Sequence, residues 1–229
     1  MYNDIDIILN GLQTIYESDL IAHLRRALIN FPDIDFNDVF TQGQIKSKLW
    51  LIDELISLDL DLGVVYIVGG WYGSLAAMMF ESNKLKINKI RSFDIDTQCA
   101  NIADTINRKW VMDEWTFKAS TMDMHDIDYN GMDYSTIRAD GSDCNLYDIP
   151  DCVINTSCEH IDNYDKWFEK IPDGALLILQ SNNFYDGKGH INCVDSLYSF
   201  KQQSPMDDIL YEGHLNLEKY DRFMLIGRK

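Results

Sequence analysis

The hydrophobic pattern of the chain changes its period once, near residue 62. Before that point apolar side chains recur every three or four positions: Ile7, Ile8, Leu12 and Ile15, then Leu20, Ile21, Leu24 and Leu28. This spacing predicts two amphipathic helices. Pro32 interrupts the pattern, and IKSKLWLIDELISL, from Ile45 to Leu58, resumes it as a third helix that Leu62-Gly63 is expected to close. From Val64 the apolar residues come instead as short runs: VVYIV at 64–68, KIRSFDI at 89–95, WTFKAS at 115–120, DCVINTS at 151–157 and ALLILQS at 175–181. Helices are expected between them, starting near Ser74, Thr97 and Tyr164. Strand–helix alternation of this kind implies a parallel sheet with right-handed crossovers. Near the end, DDILYEGHLNL (207–217) and DRFMLIGRK (221–229) read as two strands with a short connection, hence a hairpin. The predicted architecture is α/β: a seven-stranded, mostly parallel sheet ending in an antiparallel hairpin, with an N-terminal helical extension.

The junction after the first of these strands carries the first candidate chemistry. In VVYIVGGWYGSLAAMMF a buried strand breaks at Gly69 and Gly70, passes Trp71, Tyr72 and Gly73, and re-enters as a helix at Ser74. Glycines at such a junction let the main chain approach a ligand, and the helix start offers free N–H groups. By itself the pattern fits a tight structural turn equally well. The second strand adds Asp94, 25 residues after Gly69. An acid about 20 positions beyond the glycines accepts hydrogen bonds from ribose hydroxyls in dinucleotide-binding folds. The alternative reading makes Asp94 a surface acid or helix cap, since Asp96-Thr97 resembles a helix start. Taken together, loop and acid favour a nucleoside ligand.

Composition narrows the field. The 229 residues are 46% hydrophobic and 12% aromatic, enough for one α/β domain with an appendage. A net charge of −17 repels phosphate backbones and argues against a dedicated nucleic-acid binder, with only Arg25-Arg26, Lys46 and Lys48 as basic candidates. Five cysteines without a C-x-x-C pair read as reduced thiols rather than zinc ligands or disulfides. The opening MYNDIDIILN has acids where a leader peptide has bases, and no apolar run approaches the roughly 20 residues of a membrane span, so a soluble cytoplasmic protein is expected. The aspartate-rich stretch from Asp123 to Asp151 is expected to be a solvated loop, because DMHDIDYNGMDY ends in Tyr134 where a calcium loop needs a carboxylate. No metal is expected.

The succession from Val64 onward resembles the class I S-adenosylmethionine-dependent methyltransferases, which share a Rossmann-like three-layer sandwich. The resemblance implies that Gly69, Gly70, Trp71, Tyr72 and Gly73 hold the methionine portion of S-adenosylmethionine and that Asp94 binds its ribose. It also implies that Ile95, Met122 and Asp123 flank the adenine. NTSCEHI (155–161) matches the segment after the fourth strand, where a Glu-His pair often occurs in the small-molecule branch. Asn155 and Ser157 are then ligand contacts, and His160 is a candidate general base, histidine being the residue type suited to proton transfer near neutral pH, with Glu159 orienting it or an acceptor amine. A structural alternative has Glu159-His160 capping the next helix. Cys158 as a nucleophile is disfavoured by its acidic neighbour. Two positions depart from the family pattern: Ile67 stands where many members carry an acid, and Trp71 replaces the middle glycine.

Residues 1–62 are accordingly expected to form a helical cap or lid, and 63–229 the cofactor-binding domain. TQGQIKSKLW (41–50) presents Gln42, Gln44, Lys46 and Lys48 beside an apolar face of Ile45, Leu49 and Ile52, fit either for a lid or for a packed helix with a wet side. The polar stretch 180–200, with Asn182, Asn183, Tyr185 and His190, suits acceptor binding or is plain loop. The implied activity is methyl transfer to a nitrogen or oxygen of a small or medium-sized acceptor. Aminopropyl transfer or cofactor cleavage on the same fold, or non-catalytic binding of a nucleoside or partner, are the alternatives. Sequence is silent on oligomeric state.

Overall fold

The computed structural model describes residues 2–138 and 140–229; Met1, the first residue of the expected helical segment, and Ala139 lie outside the described residues. Helices α1 (Tyr2–Ile15) and α2 (Asp19–Asn30) follow the apolar period, and a 3-10 turn at Asp38–Phe40 leads into α3 (Gln42–Leu58). Polar side chains start two of these helices: Ser18 Oγ accepts the Ile21 N–H, and Thr41 Oγ1 accepts the Gln44 N–H, both at 3.4 Å. Helix α3 ends at Asp59, whose φ of 49° is left-handed, rather than at Leu62-Gly63. Aspartate adopts that conformation more readily than most residues because its short side chain bonds locally, so the chain turns early and Leu62 and Gly63 fall inside β1 (Asp61–Val68). The inner face of α3 also differs from expectation. Ser47 and Lys48 join Leu51, Ile52 and Leu55 inside, whereas Leu49 points outward. Lys48 keeps its ammonium satisfied on Gln44 Oε1 at 2.5 Å.

Alternating elements follow: α4 (Ser74–Glu81), β2 (Lys86–Asp94), α5 (Cys99–Ile106), α6 (Arg108–Met112), β3 (Phe117–Thr121), β4 (Met132–Ile137), β5 (Asp143–Asp148), β6 (Cys152–Asn155), α7 (Tyr164–Lys170), β7 (Leu176–Asn182), α8 (Leu197–Gln203), β8 (Asp208–Asn216) and β9 (Asp221–Arg228). Seven strands make one sheet in the order β3-β2-β1-β6-β7-β9-β8. The pairs β2–β3, β1–β6 and β6–β7 are parallel; β9 runs antiparallel to both β7 and β8. Every residue of β7 is buried, whereas β8, at the sheet's edge, alternates exposed and half-buried positions, as an edge strand covered on one face should.

Two expected loops contain regular structure. Within the acidic stretch, β4 and β5 pair as a separate antiparallel hairpin, Tyr134 opposite Leu146. Met132, Tyr134 and Thr136 supply a period of two between the aspartates, and cross-strand pairing outweighs the poor strand propensity of Asp. Asp148 is buried there and accepts the Tyr134 hydroxyl proton. Within 180–200, α8 starts at Leu197, capped by Ser196 Oγ accepting the Ser199 N–H at 3.2 Å.

The chain forms two compact units, residues 2–61 with 69–122 and residues 62–68 with 123–229. In the first, Ala27, Leu28, Phe36 and Val39 of the N-terminal segment cluster with Tyr72, Ala77, Cys99, Ile102 and Ile106. In the second, Trp167, Leu177, Phe200 and Met224 are among the fully buried side chains. No helix among the described residues is long and apolar enough to cross a membrane.

Candidate functional site

In the first unit the glycine loop is shaped by main-chain bonds and one carboxylate. Gly69 and Gly73 have φ of 67° and 74°, and Trp71 between them has φ of 50°. The position where a glycine was expected thus keeps a glycine-like backbone although it carries an indole. A non-glycine residue in this region costs about 1–2 kcal/mol, and the surrounding bonds supply it. Gly70 N–H donates to Phe93 O (3.0 Å), Trp71 N–H to Asp94 Oδ2 (2.8 Å) and Gly73 N–H to Gly70 O (3.0 Å). A Cβ on Gly73 would lie 2.6 Å from Asn107 Nδ2, which itself donates to Gly73 O at 3.0 Å. The aromatics face the core: Tyr72 is buried, stacks on Trp71 at 4.8 Å between centroids and packs on Phe36 at 5.4 Å.

Asp94 is the organiser. Its Oδ2 takes the Trp71 N–H, its Oδ1 takes the Asp96 N–H at 3.0 Å, and its carbonyl takes the Met122 N–H at 2.9 Å. It is not a helix cap, since α5 begins after Gln98. The buried Cys99 thiol also bonds the Asp94 side chain, so of the about four acceptor directions of a carboxylate one remains for a hydroxyl donor. Ile95 is 68% exposed beside it, and Met122 is half-buried. The loop, Asp94, Ile95 and Met122 are therefore brought together.

The second unit holds Asp123, Asn155, Ser157, Glu159 and His160. Asp123 Oδ1 accepts the His125 N–H (2.9 Å). Asn155 is fully buried; its Oδ1 accepts the Ser157 N–H (2.8 Å) and its Nδ2 has no protein partner. Cys158, Glu159 and His160 form a 3-10 turn, and α7 is entered through Asn163 instead, so the Glu-His pair caps no helix. Burial, then the neighbouring Glu159 charge, pushes the Cys158 thiol well above its usual range. That thiol is inert as a nucleophile.

Glu159 points inward, 2% exposed, and its Oε1 accepts from Asn182 Nδ2 at 2.5 Å and from Arg222 Nη2 at 3.3 Å. Arg222, itself buried, also donates through Nη1 to Thr156 O at 2.8 Å. His160 is exposed, with Nδ1 2.9 Å from Gly189 O. Arg222 was not singled out by sequence reasoning, and His190 was named only within the polar stretch 180–200, not as a neighbour of Glu159-His160. Arg222 lies in a terminal strand with no motif, and His190 stands 30 positions beyond His160, in a loop whose polar residues and glycines give no sign of which side chain meets the Glu-His pair. A shallow depression of about 380 Å³ lined by His125, Asp126, Asp128, Asn130 and Lys170 contains none of the expected site residues.

No family model and no curated protein matches the sequence. Solved structures do match the fold. The N-methyltransferase NodS from Bradyrhizobium japonicum WM9, in complex with S-adenosyl-L-homocysteine, aligns with a TM-score of 0.57 over 93% of this chain and 99% of its own at 11% identity. A geranyl diphosphate methyltransferase in complex with GPP and sinefungin aligns at 0.53 over 81% and 78%, also at 11% identity. The small RNA methyltransferase HEN1 aligns at 0.55 over 86% of this chain but 27% of its own, again at 11%. At such identity the likeness establishes the fold, the Rossmann-like sandwich of the class I methyltransferases expected from the order of the strands.

Proposed function

We propose that the protein binds S-adenosylmethionine and transfers its methyl group to a nitrogen or oxygen of a small or medium-sized acceptor. The observation that carries this reading is Asp94, which ties the glycine loop and Met122 to itself through main-chain donors and keeps an acceptor direction free. Asp94 would bind the ribose hydroxyls, Ile95, Met122 and Asp123 would flank the adenine, and Gly69, Gly70, Trp71, Tyr72 and Gly73 would receive the methionine portion. The fit is good at the nucleoside end: a carboxylate with a spare lone pair lies beside an exposed isoleucine. At the other end Ile67 is buried where an acid often stands, so the loop main chain must hold the methionine portion. The cofactor supplies an activated methyl group. The protein's share is to align the acceptor and manage its proton. Asn155 and Ser157 would contact the ligand, His160 offers an exposed Nε2 to an acceptor proton, and Glu159 acts from behind, holding Asn182 and Arg222.

Ile67 and the Trp71–Tyr72 stack support a second reading, in which the nucleoside binds without methyl transfer: a cofactor-cleaving or aminopropyl-transferring enzyme, or a non-catalytic binder. Calorimetry with S-adenosylhomocysteine is the first test. Binding is expected, and Asp94→Ala should weaken it at least about tenfold, as loss of one charge-assisted bond implies. No heat with either S-adenosylmethionine or S-adenosylhomocysteine would sink both readings. Labelled methyl donor with a cell extract then separates transfer from cleavage or plain binding.

A further inference from the structure

Glu159, His160 and His190 each present one ligand atom, and these atoms all lie within 4.8 Å of one another. Two imidazoles and a carboxylate converging this closely form a donor set typical of first-row transition metals. Three further observations show that the set is built rather than coincidental.

The first is the tautomer of both rings. His160 Nδ1 lies 2.9 Å from Gly189 O, and His190 Nδ1 lies 2.6 Å from Phe184 O. A carbonyl only accepts, so each Nδ1 carries the proton and each neutral ring keeps its lone pair on Nε2. A metal-ligating histidine is usually prepared in this way. The second is the carboxylate. Glu159 is 2% exposed, Oε1 is committed to Asn182 and Arg222, and Oε2 is buried with no partner in the protein. An unsatisfied buried carboxylate oxygen costs folding energy unless something binds it. The third is the clamp on the loop that carries His190. Ile191 and Asn192 donate their N–H groups to Glu159 O at 3.0 and 2.9 Å, and Asn192 Nδ2 donates to Cys158 O at 3.0 Å. At Gly187 an added Cβ would stand 2.5 Å from the His190 ring, and at Gly189 it would stand 3.3 Å from His160 Nδ1. Side chains at both glycines would crowd the imidazoles.

We propose that Glu159 Oε2, His160 Nε2 and His190 Nε2 form a binding site for a divalent first-row transition-metal ion such as Zn²⁺ or Mn²⁺. Calcium and magnesium prefer all-oxygen shells. Donors about 2.0–2.2 Å from zinc stand roughly 3.4 Å apart in a tetrahedron, so the ligand atoms, now within 4.8 Å of one another, must draw together on binding, a movement that the exposed His160 permits. Arg222 holds one carboxylate oxygen and, by its charge, restrains the site's affinity. Three protein donors leave coordination positions open to water or to an oxygen or nitrogen of another molecule. If the methyl-transfer reading holds, that molecule is the acceptor. A ligated His160 then no longer takes a proton, and the ion's charge eases acceptor deprotonation instead. Metal binding itself does not depend on that reading.

The test uses the full chain, freed of metal by a chelator and titrated with ZnCl₂, MnCl₂ and MgCl₂ by calorimetry without any nucleoside. One equivalent of zinc or manganese should bind, magnesium far more weakly. His160→Ala and His190→Ala should each lower affinity at least tenfold, while His214→Ala on β8 leaves it unchanged. Co²⁺ in place of zinc should give visible absorption that the His160 and His190 variants lose. His160 is exposed, so its variant should fold, and thermal unfolding without metal checks this. The proposal is overturned if neither zinc nor manganese binds stoichiometrically, or if folded His160→Ala binds as the parent does. Binding of S-adenosylhomocysteine is read separately, so failure of the cofactor reading leaves this result legible.

Discussion

Between Gly69 and Gly73 the chain is held by its own main chain, by Asp94 and by an apolar cluster. Around Glu159, between Thr156 and Cys193, it is held by charged and polar side chains: Glu159 with Arg222 and Asn182, Asn192 on Cys158 O, and two imidazoles on carbonyls. Main-chain bonds make a shape that tolerates a change of side chain, which is how Trp71 occupies a glycine's place. A buried ion pair makes a shape that depends on every member being present, because an unmatched buried charge is strongly unfavourable.

Removing one member of each region should therefore give unequal losses. The largest is expected for Arg222→Ala, about 3–5 kcal/mol in urea unfolding, since it leaves Glu159 charged and buried with only Asn182 on Oε1. Combining Arg222→Met with Glu159→Leu should recover most of that loss. Failure to recover any would mean the pair contributes by shape rather than charge. In the glycine loop Gly73→Ala should cost about 2 kcal/mol. Gly174→Ala, with φ of 82° and open space around it, should cost about half as much by the left-handed term alone. Equal losses would show that Asn107 yields freely and that the loop is looser than its bonds suggest.

The smallest effect concerns pH and lies behind the loop. His23 sits on α2, the helix that brings Ala27 and Leu28 to the Tyr72 cluster, and burial followed by the charge of Arg26 lowers its pKa. The native state thus binds fewer protons than the unfolded chain. This contribution to stability is complete above the ordinary value of roughly 6.5 and declines as pH falls towards the folded pKa. His23→Gln should flatten the urea midpoint against pH just below 6.5; an unaltered slope would mean that His23 does not carry the acid sensitivity.

How far each region could be read from sequence follows the same contrast. Strands appear as apolar runs, and the glycine loop and Asp94 lie within one strand–helix–strand unit, so local spacing displays them. The hairpin β4–β5 was hidden because its aspartates mask an alternation that only cross-strand partners make meaningful. Leu62 and Gly63 look like a helix stop because nothing in sequence marks Asp59 as the residue that adopts the left-handed turn. His190 and Arg222 reach Glu159 from 31 and 63 positions away, through β7 and β9. No spacing rule connects them, and the inward orientation of Glu159 is a product of packing. Cys158, by contrast, was disfavoured as a nucleophile by its neighbour in sequence, while the larger cause, its burial, appears only in the fold.

The left-handed Trp71 has a practical consequence. Its amide nitrogen, bonded to Asp94, is a few covalent bonds from an indole that stacks on Tyr72. Events at the Asp94 carboxylate are therefore wired to a fluorophore, one of five tryptophans in the chain. Subtracting the emission of Trp71→Phe from that of the parent isolates this signal, so the protein carries its own unlabelled optical gauge of whatever occupies the glycine loop.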